Sequence, residues 1–120
     1  MLYIWFSSFD EKNIYKHKNR SPIGNDTIVE IGIENGKIMK SWGKNMFYMP
    51  HGISVDPQGN VWLTDVALHQ VFRFKRDQDD KPDLVLGERF VPGNDDKHFC
   101  KPTVSLTLKK LIFLYFCSIN

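Results

Sequence analysis

Three short β-type runs follow one another between Asn45 and Phe74, and no other part of the chain constrains its fold as tightly. They are Gly52 to Val55, Asn60 to Thr64 and Gln70 to Phe74, each about the length of one strand. Asp56-Pro57-Gln58-Gly59 separates the first two, with Asp at turn position i, Pro fixing φ at i+1 and Gly at i+3, which is type I turn chemistry. Ile53 pairs with Val55, Val61 with Leu63 and Phe72 with Phe74 on common faces, as half-buried strands require. The stretch therefore predicts a meander of antiparallel strands. His51 opens the first of them behind Pro50, whose ring biases Met49 toward extended backbone. Loops gather at strand ends and carry sites, so this imidazole is a candidate functional group.

A second hairpin is predicted upstream. Thr27 to Ile33 is rich in β-branched residues, Glu34-Asn35-Gly36-Lys37 carries the Asn-Gly turn signal, and Ile38 to Trp42 alternates again. Val29-Glu30-Ile31, a turn and Ile38 to Gly43 resemble Val71 to Phe74, a turn through Asp79-Asp80-Lys81-Pro82 and Leu84 to Gly87. The spacing of Gly43 from Gly87 is a period in the low forties built on four short strands, which is how a propeller blade reads in sequence. The predicted class is all-β, a partial propeller with about two blades.

The rest of the chain is less regular. Met1 to Asp10 has no clean period, Glu11 to Arg20 is polar and basic, and Ser21-Pro22-Ile23-Gly24-Asn25-Asp26 continues with turn formers, so residues 1–25 read as an irregular N-terminal segment with an exposed loop. Blades are expected over 26–103. Beyond Thr103, residues 104–120 hold no turn residue and no Gly-Asn hairpin, and read as a tail that does not continue the pattern.

Composition excludes several classes. With 120 residues, 42% hydrophobic and 25% charged, the chain is ordinary globular material for one domain. Sixteen basic against fourteen acidic residues, interspersed, make no electrostatic case for nucleic acid or an anionic membrane. The apolar run Leu111 to Cys117 is far short of the roughly 20 residues of a membrane helix, and Met1 to Phe6 lacks the features of a signal peptide. Cys100 and Cys117 have no metal-ligand spacing, and a disulfide between them stays open. Asn19-Arg20-Ser21 and Asn25-Asp26-Thr27 are glycosylation sequons, of use only in the secretory pathway.

Longer motifs go further. Phe47 to Asp56, Trp62 to Phe72, and Pro92-Gly93-Asn94-Asp95 running into His98-Phe99-Cys100-Lys101-Pro102-Thr103 resemble the lyase domain of peptidylglycine α-amidating enzymes, with weaker similarity back to about Ser8. The resemblance implies a six-bladed propeller of NHL-type repeats, with one repeat over about 45–87. It implies a zinc-dependent lyase, secreted or in the lumen of secretory granules, that cleaves peptidyl-α-hydroxyglycine into a peptide amide and glyoxylate. Zinc and calcium are its implied cofactors, and a monooxygenase domain is an implied neighbour in a longer parent. His51 matches one of three zinc histidines, Ile53 the residue whose backbone carbonyl binds calcium, and Cys100 a cysteine bonded to one in the following blade.

Zinc with three protein ligands keeps a position open for substrate oxygen, and calcium prefers oxygen donors. The family's other two zinc histidines, its arginine, its catalytic tyrosine and the partner of Cys100 have no match here, so no complete catalytic set is expected. The resemblance implies a fragment, inactive by itself, with 104–120 either translated intron or a variant end. The alternative is a non-catalytic NHL-type propeller segment for protein binding. Taken alone, with no second histidine at ligand spacing, His51 reads more readily as a hydrogen-bonded structural histidine than as a ligand. Tyr48 is a general base only in principle, His69 a structural hydrogen-bonding group, Asp65 a turn cap, Trp42 and Trp62 core or inter-blade packing, and His17 and His98 surface polar groups.

Overall fold

The computed structural model describes residues 8–107 and 110–115, with side chains described for 8–103. Its elements are eight strands: β1 (Ile28–Ile31), β2 (Ile38–Trp42), β3 (Pro50–Val55), β4 (Val61–Asp65), β5 (Gln70–Phe74), β6 (Leu84–Leu86), β7 (Pro102–Thr107) and β8 (Lys110–Tyr115). β3 to β6 form one four-stranded antiparallel sheet in sequence order, and β1–β2 and β7–β8 are two-stranded hairpins on either side of it in the chain. This is one whole blade between two half-blades.

The turns form where their chemistry requires. Gly59 N–H donates to the Asp56 carbonyl at 2.9 Å, closing the type I turn. The Asp56 carboxylate then accepts from the Gln58 and Asn60 N–H groups and from Trp62 Nε1 at 3.0 Å. Asn35 and Gly36 turn the first hairpin as expected, with Gly36 at φ 65°. That loop runs from Gly32 to Lys37, however, and β1 ends at Ile31, leaving Ile33 wholly exposed.

The repeat seen in the sequence is present in the geometry. Gly43 and Gly87 end the outer strands β2 and β6 at φ 93° and 90°, in the left-handed region open to glycine. Thr27 Oγ1 donates to the Gly43 carbonyl and Gln70 Nε2 to the Gly87 carbonyl. A phenylalanine closes on each glycine, Phe47 on the first and Phe99 on the second. β1–β2 thus stands where β5–β6 stands one blade later, and Pro102 stands where Pro50 does.

The core lies between the first hairpin and the central sheet. Ile28 and Trp42 pack on Phe47, Leu63, Leu68, Phe72 and Phe74, and the Trp42 ring meets Phe74 edge-on at 4.9 Å. Each such burial is worth about 1.5–3 kcal/mol. Lys40 pairs with Asp79 at 2.8 Å across the same boundary, so Trp42 is inter-blade packing. Trp62 lies on the opposite face, half-buried under the Arg73 guanidinium, which is held by both Asp83 oxygens.

Three expectations change. Ile53 and Val55 share the face of Leu63 and Phe74, yet they are 58% and 56% exposed, because β1–β2 covers β4 and β5 but stops short of β3. The polar run 11–20 is not simply an exposed loop: Tyr15 is buried, bridged to Phe9 and packed by Tyr48 and Phe90. Residues beyond Thr103, where the sequence offers no turn signal, pair as β7–β8, with Pro102 opposite Tyr115 as Pro50 is opposite Asp65.

Candidate functional site

β3 pairs with β4 directly at Pro50↔Asp65 and again from Gly52↔Thr64, and His51 is the extra residue between. A bulge of this kind bends the strand and re-aims a side chain. Gly52 N–H, displaced from the ladder, donates instead to Thr64 Oγ1 at 2.9 Å. The imidazole is exposed and borders a cleft of about 270 Å³ between β1 and β3, with Thr27, Ile28, Val29, Ile53 and Leu63 as further walls. His51 and Ile53 thus come to one place.

Asp65 fixes the approach to this strand. It is fully buried at the end of β4, where Oδ2 accepts from Tyr48 N–H (2.7 Å) and Met49 N–H (2.9 Å) while Oδ1 accepts from Ala67 N–H (2.9 Å) and Leu68 N–H (3.0 Å). One side chain caps the β4–β5 turn and clamps the two residues before Pro50. Burial pushes its carboxyl above the usual carboxylate value, against the pull of the four N–H groups.

His69 is structural. It is fully buried, and its Nδ1 accepts from Lys101 N–H at 3.1 Å, tying the β4–β5 turn to the residue before Pro102. Nε2 has no partner in hydrogen-bonding geometry, although the Asn13 backbone favours a proton on the ring. Burial holds the imidazole down at about 4, so the ring is neutral at pH 7. Lys101 Nζ caps the Phe9 ring at 4.4 Å and donates to Asn13 Oδ1.

His98 does more than the sequence disclosed. Its Nδ1 lies 2.7 Å from Asp95 Oδ1 and its Nε2 3.2 Å from Glu88 Oε2, and these hydrogen bonds raise its pKa. It therefore staples the loop from Glu88 to Asp95. The i,i+3 spacing of Asp95 and His98 was the one signal for this in the sequence. Tyr48 sits under Arg89, whose guanidinium lies 5.2 Å from its ring, and packs edge-on against Phe90, an arrangement that anchors the loop. Cys100 is fully buried and not a free thiol, while Cys117 lies outside the described residues. Among the described residues no cluster of three or more His, Cys, Asp or Glu is placed to hold a metal, and His51 is the one such residue on the cleft.

A four-stranded antiparallel blade, its first strand opened by a Pro-His bulge and flanked by a hairpin on either side in the chain, is the architecture of a partial β-propeller with about two blades. Residues 47–74 match the NHL repeat. Over 98 residues the chain is 55% identical to peptidyl-alpha-hydroxyglycine alpha-amidating lyase 1 of Drosophila melanogaster, and over 97 residues it is 50% identical to peptidylglycine alpha-amidating monooxygenase of Rattus norvegicus. It is 42% identical over 99 residues to a probable peptidyl-alpha-hydroxyglycine alpha-amidating lyase of Caenorhabditis elegans. These alignments take in 79–81% of this chain but 18%, 10% and 28% of the three relatives. No helix among the described residues is long and apolar enough to cross a membrane.

Proposed function

We propose that this chain is part of a propeller that cleaves peptidyl-α-hydroxyglycine into a peptide amide and glyoxylate. The observation that carries the reading is the position of His51, on a bulge that turns an exposed imidazole toward an open cleft within the stretch that matches the NHL repeat. A propeller used only for protein binding has no need of an imidazole there.

In this reading His51 is one ligand of a zinc ion. When bound, zinc acts as a Lewis acid and stabilises the developing alkoxide of the substrate's α-hydroxyl. The described residues alone do not make that site, since they bring one imidazole to the cleft, and the remaining ligands have to come from outside them. Ile53 would offer its backbone carbonyl to calcium. Among the described residues β3 is an edge strand, so the carbonyls on its outer side have no ladder partner there and suit a hard cation. Cys100 would be bonded within an oxidising compartment, and exposed Asn19 and Asn25 would carry glycans there, in keeping with a secreted or granule protein. A monooxygenase domain in a longer parent would supply the hydroxyglycine peptide.

The chain's own residues position rather than react. Asp65 holds Tyr48 and Met49, and through them the turn that delivers His51. The test is glyoxylate release from an α-hydroxyglycine peptide by a longer parent protein that contains this stretch, compared with its His51→Ala variant, with circular dichroism to confirm equal folding. The reading predicts release above the uncatalysed rate by the parent, abolished by His51→Ala, and none by these 120 residues alone. Release by the parent unaffected by His51→Ala contradicts it.

A further inference from the structure

We infer that His98 is a pH-operated clasp on the loop between β6 and β7. Protonated, it draws Glu88 and Asp95 together and holds the loop closed; on losing its proton it releases the Glu88 end. The clasp belongs to this loop alone and holds whatever reaction the protein serves. The His98 side chain is 22% exposed, while those of Asp95 and Glu88 are 63% and 66% exposed, so two carboxylates reach in from solvent to one half-buried ring.

Both ring nitrogens face a carboxylate. Nδ1 lies 2.7 and 2.9 Å from the two Asp95 oxygens, and Nε2 lies 3.2 Å from Glu88 Oε2. An ionised carboxylate only accepts, and a neutral imidazole has one N–H and one lone pair, so the neutral ring satisfies one partner and turns its lone pair on the other. The imidazolium satisfies both. Asp95 stays ionised here, because its carboxylate also accepts from the Lys97 and His98 N–H groups at 2.8 and 3.0 Å, and these bonds help hold its carboxyl below the usual range. With several donors on Asp95 and a shorter bond to the ring, Nδ1 keeps its hydrogen in the neutral form. The bond to Glu88 is therefore the one that the second proton makes.

The ring rests on Gly93, where a Cβ would come within 2.6 Å of His98 Cβ and 3.2 Å of its Cγ. Gly93 brings no charge, the neighbours Asp96 and Lys97 are exposed, and the Arg89 guanidinium is engaged over Phe90 at 4.9 Å and Tyr48 at 5.2 Å. Asp95 and Glu88 are thus the titratable groups that face the ring among the described residues, and both favour its proton, raising its pKa above the ordinary 6.5. With a raised folded value, the clasp is fully closed below the ordinary pKa and is lost as pH rises through the folded one. Histidine switches of this kind work between mildly acidic and neutral surroundings.

The end that Glu88 holds carries Arg89 and Phe90. Val91 N–H closes a turn on the Glu88 carbonyl at 3.0 Å, Phe90 N–H binds the Leu68 carbonyl at 2.9 Å, and the Phe90 ring packs edge-on against Tyr48, two residues before Pro50. The clasp therefore sets how firmly this end of the loop sits on the aromatic residues from which β3 starts.

Two measurements on the parent protein that contains this stretch decide this. Ring-proton NMR, with His98 assigned by its loss in His98→Gln, should give a midpoint above 6.5 that Glu88→Gln brings down. Hydrogen exchange of residues 88–93, corrected for the intrinsic pH dependence of exchange, should be severalfold faster above that midpoint than below it. In His98→Gln the step should vanish and exchange should be fast at both pH values. If that variant does not fold, Glu88→Gln replaces it, since Glu88 is exposed, and the step should shift down with the midpoint. A midpoint at or below 6.5, a midpoint that Glu88→Gln leaves in place, or exchange in 88–93 that does not change across the midpoint overturns the inference. None of these readouts depends on zinc or glyoxylate, so a parent without lyase activity removes the proposed function and leaves the clasp.

Discussion

At the scale of single residues, two buried side chains hold the loops around His51, and both make measurable demands. Asp65 accepts four backbone N–H groups at once, and its removal strands the buried Ala67 and Leu68 donors and frees the half-buried Tyr48 and Met49 donors. Leaving one buried polar group unsatisfied costs about 1–3 kcal/mol, so Asp65→Ala should lose at least about 3 kcal/mol in urea denaturation, a large share of a small domain's stability. His69 titrates near 4 when folded and near 6.5 when unfolded. Its unfolded form therefore binds the extra proton between those values, and its contribution is complete above about pH 6.5 and lost as pH falls toward 4. The loss amounts to about 3 kcal/mol, and His69→Asn, which keeps an acceptor for Lys101 N–H and suits the residue's positive φ of 56°, should flatten stability across that window. An unchanged acid profile in His69→Asn would show that other groups carry the acid sensitivity.

At the scale of elements, the outer strands end on glycines that no other residue replaces cheaply. A Cβ on Gly87 would stand 2.5 Å from the His69 carbonyl oxygen in addition to the strain of φ 90°, whereas a Cβ on Gly36 meets nothing within 4 Å. Gly36→Ala should therefore cost about 1 kcal/mol, the left-handed backbone alone, and Gly87→Ala distinctly more, about 3 kcal/mol. Equal losses in thermal melts of the two variants would mean that the contact relaxes. The strands themselves were legible because local chemistry sets them: Asp56-Pro57-Gln58-Gly59 and Asn35-Gly36 are turns in any context, and the runs between them alternate. What could not be read is what depends on distant partners. His69 finds Lys101 across 32 positions, Tyr15 is a lone aromatic in a polar run that is buried only because Phe9 and Phe90 meet it, and Ile53 alternates as a core residue although the hairpin above stops short of it. The bulge at His51 was equally hidden, since a bulge is a property of two strands and the sequence shows one at a time.

At the scale of the whole molecule, the arrangement is one complete blade with an outer half before it and an inner half after it, and the candidate site lies where the first half is open. The sequence resemblance reached the lyase relatives, and the structure adds a reason for the Pro-His-Gly opening: Pro50 starts the strand, His51 is raised out of the ladder, and Gly52 is satisfied by Thr64. One imidazole cannot hold zinc tightly, so a working site needs ligands from beyond the described residues. The most direct measurement is the zinc content, by metal analysis, of a longer parent protein that contains this stretch, beside that of its His51→Ala variant at equal folding. The account predicts zinc that copurifies with the parent and falls to background in His51→Ala. Zinc absent from both, or retained equally by both, would contradict a metal-binding role for His51.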